Sequence, residues 1–141
     1  MKRILVVDDE PTIRELIADA LREAGYLAET AANGAQALRQ LQRHRPDAIV
    51  LDLMMPVLDA SGFRELLRLD ARAAQIPILV VSATYDVEEA AKRLGATACL
   101  RKPFELDELI GTVARLVGRL DPAELEARRG AGSEAEVALD A

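Results

Sequence analysis

The chain has 141 residues, half of them hydrophobic, with one cysteine and a net charge of −6, which suits a single domain with a core of Leu, Ile, Val and Ala. Lone Cys99 excludes an internal disulfide, no run nears the roughly 20 apolar residues of a membrane span, and the opening MKRILVVDDE has too few apolar residues for a signal peptide, so a soluble cytoplasmic protein is expected. Residues 1–120 carry 16 Lys and Arg against 18 Asp and Glu, whereas 121–141 carry 2 against 6, so the acidity lies in the tail and no segment is basic enough for direct nucleic-acid binding.

The first element is the run ILVV at 4–7, which drives straight into Asp8, Asp9 and Glu10. Ile13, Leu16, Ile17, Ala20, Leu21 and Ala24 then fall on one face of a helix, with Pro11 in its first turn and Gly25 at its exit. LAETA (27–31) reads as a weaker, edge strand, and a second helix over about 35–44 turns Leu38 and Leu41 inward. AIVLDL (48–53), PILVVSA (77–83) and the short ACL (98–100) are further strands. Their continuous apolar character predicts a parallel sheet covered on both faces. Helices are expected at roughly 62–71 and 86–94. The last helix has the stripe Leu106, Leu109, Ile110, Val113, Val117 and Leu120, with Glu105, Asp107 and Glu108 at its start and Arg115 and Arg119 near its end, as the helix dipole favours.

Five strand–helix units predict an open α/β sheet of flavodoxin-like order 2-1-3-4-5 with helices on both faces. The domain is expected over 1–120, and 121–141 reads as an acidic Ala/Glu-rich tail or the start of a linker. Glu10 reads as a first-turn acid facing water and His44 as a surface residue at a helix end.

Ligands of such sheets bind beyond the carboxyl ends of the strands, at the switch point between the first and third. There the first strand ends in Asp8 and Asp9, the third in Asp52, the fourth in Ser82, and the fifth delivers Lys102. Crowded carboxylates raise one another's pKa unless a positive charge sits between them. A hard cation such as Mg²⁺ takes carboxylate oxygens and keeps room for a phosphoryl oxygen. The cation, Lys102 and the Ser82 hydroxyl could then neutralise a transferring phosphoryl group. Asp52, central among them, is the sensible nucleophile, since an aspartate can form an acyl phosphate.

VVDDEP, DLMMP, VVSA and RKPF, in this order, resemble the receiver domain of bacterial two-component response regulators, including the single-domain chemotaxis type. The resemblance covers about 1–120. It implies a signalling phosphoacceptor rather than an enzyme, with Asp52 phosphorylated by a sensor histidine kinase or a histidine phosphotransfer protein. It further implies Mg²⁺, or Mn²⁺, held by Asp9, Asp52 and the Met54 carbonyl, with Asp8 acting through water. Ser82 and Lys102 match the residues that meet the phosphoryl group, and Lys102–Pro103 matches a bond usually cis in the family. The output it implies is docking onto a protein partner, action on a further domain, or homodimerisation on phosphorylation, without membrane contact.

Several positions of this chain depart from, or vary within, the family pattern. Cys99 stands where an aromatic rotor is usual, so the loop after Ser82 and the fourth helix are expected to carry the switch instead. PVLDASGF is about two residues longer than the usual turn, and Met54 and Thr84 occupy variable positions. Two alternatives are weaker. A Mg-dependent aspartyl phosphatase of the haloacid dehalogenase type wants an acid two residues after its nucleophile, where this chain has Met54. A non-phosphorylated pseudo-receiver is at odds with the complete set of reactive groups.

Overall fold

The structure, a computed structural model, describes residues 1–54 and 60–118. The loop after the third strand at 55–59, Arg119 and Leu120 of the final stripe, and the tail 121–141 lie outside the described residues.

Five parallel strands, β1 (Arg3–Val7), β2 (Leu27–Ala31), β3 (Ala48–Asp52), β4 (Ile78–Ser82) and β5 (Ala98–Arg101), form one sheet. Its order is β2-β1-β3-β4-β5, as predicted. The helices α1 (Pro11–Glu23), α2 (Gly34–Arg43), α3 (Ala60–Arg68), α4 (Val87–Leu94) and α5 (Leu106–Val117) alternate with the strands. Side chains alternate across the pleat, so each central strand serves two cores. Leu5 and Val7 join Ile49, Leu51, Phe63 and Leu94 beneath α2, α3 and α4. Ile4 and Val6 join Ile17, Leu21, Val50 and Val113 beneath α1 and α5. This double covering is why ILVV and AIVL read as unbroken apolar runs. β5, the far edge strand, is only partly buried, so its expected covering on both faces is incomplete.

Local chemistry sets the helix ends. Pro11 occupies the first turn of α1 and the Glu10 side chain caps it by accepting from Thr12 N at 3.1 Å, so Glu10, exposed to water as expected, is the N-cap rather than a first-turn residue. Asn33 caps α2 by accepting from Gln36 N at 2.9 Å, and Gln36 returns a bond from Ala32 N at 2.9 Å. That reciprocal pair starts α2 one residue earlier than the apolar pattern predicts. α3 is shorter than predicted at its C-terminal end. Asp70 accepts from Arg72 N at 2.9 Å and seeds a separate 3₁₀ turn at Ala73–Gln75, a local side-chain competitor to the helix.

The predicted α1 stripe needs two corrections, one of them at Ala24, which is the exposed C-cap rather than part of the buried face. Ile17 and Leu21 are buried and Ala18 joins them, but Leu16 is 52% exposed. The helix turns its 17/18/21 face to the sheet, which leaves Leu16 on the flank facing the turn between β5 and α5.

Candidate functional site

β1 ends at Val7, yet Asp8 N still donates to Ala31 O at 3.2 Å. The ladder thus holds Asp8 rigidly at the carboxyl edge. Its carboxylate is 1% exposed and accepts from Glu10 N at 2.9 Å, and Arg14 bonds its carbonyl at 2.9 Å. Asp52 closes β3 with 4% exposure. Its Oδ1 accepts from Met54 N at 3.2 Å, which pins the rotation of the carboxylate. Asp9 is exposed, at the mouth. One oxygen from each of Asp8, Asp9 and Asp52 lies within 4.8 Å of the others.

β5 supplies the positive charge. Lys102 N donates to Ser82 O at 2.8 Å, fixing the backbone just past the strand end, and Lys102–Pro103 is cis. Lys102 Nζ lies 3.3 Å from Asp8 Oδ2 and 3.7 Å from Asp52 Oδ1. One ammonium therefore bridges two buried acids. The cleft, about 480 Å³, is lined by Asp8, Asp9, Asp52, Met54, Ala83 and Lys102 among others.

Ser82 is the exception among the predicted site residues. It is fully buried and absent from the cleft lining. Its hydroxyl accepts from Thr84 N at 3.0 Å and hydrogen-bonds the Thr84 hydroxyl. The Ser-x-Thr spacing is the sequence signal for such a local turn. The same loop is tied to β5, because Arg101 Nη2 donates to Tyr85 O at 2.8 Å and its guanidinium carbon lies 5.8 Å from the Tyr85 ring centre. Cys99 is half-buried against the core on the α4 side.

Electrostatics single out Asp52. Burial pushes its pKa up from 3.8 to about 6, the Met54 N–H and Lys102 pull it down, and the Asp8 and Asp9 carboxylates push it up further. Its ionised form is therefore strained by lost hydration and by like charge. A cation among the three carboxylates relieves both. The donor set is all oxygen, as a hard divalent ion prefers, so the residues fit a Mg²⁺-class ion.

The response regulator receiver domain model matches residues 4–114. Response regulator MprA of Mycobacterium sp. (strain KMS) is 42% identical over 124 residues, covering 86% of this chain and 53% of MprA. The chain thus spans about half the length of the curated relatives it matches. Chemotaxis protein CheY4 of Vibrio cholerae superimposes with a TM-score of 0.76 at 36% identity, covering 82% of this chain and 98% of CheY4. TrrA of Thermotoga maritima, solved in complex with Mg²⁺ and BeF, gives 0.73 at 35% identity, covering 82% and 99%. With three carboxylates and a lysine gathered at the strand ends of a 2-1-3-4-5 sheet, the chain belongs to the response regulator receiver domain family.

Proposed function

We propose that Asp52 accepts a phosphoryl group from the phosphohistidine of a sensor histidine kinase or histidine phosphotransfer protein. A carboxylate oxygen of Asp52 forms the new P–O bond as the donor's P–N bond breaks. The observation that carries this reading is the convergence of Asp8, Asp9, Asp52 and Lys102 on one cleft. Burial makes Asp52 more basic than a surface aspartate, and the Met54 N–H holds it in one orientation, which limits the reorganisation needed for attack.

Asp9, Asp52 and the Met54 carbonyl would hold Mg²⁺, or Mn²⁺, with Asp8 reaching it through water. When bound, the ion supplies charge neutralisation for the phosphoryl oxygens. Lys102 sits close enough to Asp52 to move its ammonium from the carboxylates onto the incoming phosphoryl group. The Ser82 hydroxyl would follow by leaving Thr84, and that exchange of partners is the step that starts the signal.

The phosphodonor's docking face is the apolar hollow beside the cleft. It is lined by Ile13, Leu16, Pro103, Phe104 and Leu106, and it shares Ala83 and Lys102 with the acidic site. That continuity would bring a histidine at the edge of a docked helix to Asp52. The receiver unit is read as residues 1–120, with 121–141 as tail or linker. The output is a partner protein, a further domain or a second copy of the chain. Among the described residues no helix is long and apolar enough to cross a membrane, and we place the reaction in the cytoplasm.

The test is acetyl phosphate with Mg²⁺, followed by mass spectrometry. One hydroxylamine-labile phosphoryl group is expected on Asp52. A label elsewhere, or undiminished in Asp52→Asn, would end the reading.

A further inference from the structure

On the opposite side of the sheet, a hollow of about 230 Å³ opens between α3 and α4, lined by Leu53, Arg64, Glu65, Arg68, Arg93 and Leu94 among others. Among the described residues, three guanidinium groups meet one carboxylate there. Glu65 is already held by Arg68 at 3.0 Å, and among the described residues Arg93 has only a 3.4 Å pair with Asp86 in which both side chains are largely exposed.

Part of this charge has a local task. Arg64 Nε donates to Leu94 O at 3.1 Å and Arg68 Nη2 to the same oxygen at 3.4 Å. Cations at the last carbonyls of a helix are favoured by the dipole. Gly95 ends α4 with a left-handed φ of +78°, and a Cβ there would lie 3.3 Å from Arg68 Nη2 and 3.5 Å from Arg64 Nη2. The glycine therefore serves both the turn and the close approach of the two arginines.

The cap leaves a surplus. Among the described residues Arg64 Nη1 is buried with no hydrogen-bond partner, an arrangement that folded proteins rarely leave unsatisfied. Burial and the neighbouring Arg68 also push the Arg64 pKa down, against a smaller upward pull from Glu65. We propose that the hollow between α3 and α4 is an anion site that takes a phosphate dianion, free or as the head of a small phosphorylated molecule. Counted over the described residues, the net surplus of two positive charges matches a dianion better than a single carboxylate, and guanidinium forks suit phosphate oxygens. The hollow is smaller than the 300–1,000 Å³ of ordinary drug-sized pockets, which restricts the seated part to the phosphate itself. Arg64 Nη1 would gain its missing acceptor by a small rotation of the guanidinium towards the ligand.

The experiment is a titration of the full chain with inorganic phosphate, without metal and at fixed ionic strength, followed by ¹⁵N NMR. Saturable shifts are expected at the Arg64 and Arg68 Nε–H groups and at the amides of Leu94 to Ala96. Arg93→Gln, at an exposed position that leaves the α4 cap intact, should weaken binding about tenfold, and Arg68→Gln at least as much. Glycerol phosphate binding as tightly as inorganic phosphate would support a phosphorylated small molecule as the occupant. Phosphate binding with the ester excluded would support the free ion. Shifts that chloride or acetate reproduce at the same ionic strength, or that centre on Asp52 and Lys102 instead, would overturn the site.

Discussion

Replacing Asp52 by asparagine should stabilise the metal-free protein near neutral pH, even though it removes the proposed phosphoryl acceptor. The folded carboxyl has its pKa raised from 3.8 to about 6. A raised acid holds its proton more tightly folded than unfolded, so its ionisation opposes folding. The penalty is nearly absent below the unfolded value, grows through the window between 3.8 and about 6, and is complete above it. The full difference between those values corresponds to about 3 kcal/mol, an upper figure because the cleft can relax in the charged state. Urea denaturation without metal should therefore show Asp52→Asn gaining about 1–3 kcal/mol at about pH 8 and about 0.5 kcal/mol at about pH 4. The amide retains an oxygen to accept from Met54 N, so that bond survives the substitution. Equal increments at both pH values, or a loss at the higher one, would refute the electrostatic argument.

Other predictions follow from the same cleft and its loop. Mg²⁺ at about 100 times its dissociation constant should stabilise the parent by about 2.7 kcal/mol, and Asp9→Ala should lose most of that gain in thermal melts while keeping its fold. Mg²⁺ affinity should fall as pH drops through about 6, where a proton competes for Asp52, and calorimetry in two buffers should detect proton release on binding. Lys102→Ala should leave metal binding largely intact but lose the structural response to beryllofluoride, read by NMR shifts at Ser82 and Thr84. Hydrogen exchange with and without beryllofluoride should change most at residues 82–94, and Arg101→Ala should disconnect β5 from that change. Changes centred on 98–102 and abolished by Cys99→Ala would make the cysteine itself the switch.

The acids were legible because strand logic and charge collide at one place. An apolar run that ends in Asp8 and Asp9, beside another that ends in Asp52, leaves little choice about where those carboxylates go. Lys102 was legible by the same register argument, although its bridge to Asp8 needed the coordinates. Leu16 was misplaced because periodicity marks a stripe without saying which flank meets the sheet. Asn33 and Asp70 shift helix ends through single side-chain bonds that hydrophobic patterning does not register, although both residue types are known cap and turn formers. Ser82 illustrates a different gap. Its residue type announced a phosphate ligand, whereas its hydroxyl is engaged by Thr84, and only geometry distinguishes a poised group from one already in position. The arginine hollow was invisible because Arg64 and Arg68 come from one helix and meet Arg93 only through tertiary packing.

The sheet separates the molecule into two compartments that share a wall and little else. Leu5 and Val7 face one, Ile4 and Val6 the other. Substitutions on opposite faces have few common neighbours, so their energetic effects should sum, as they do for independent sites. The flank formed by Leu16, Phe104 and Leu106, the proposed docking face, can then be substituted while the packing beneath α3 and α4 stays as it is.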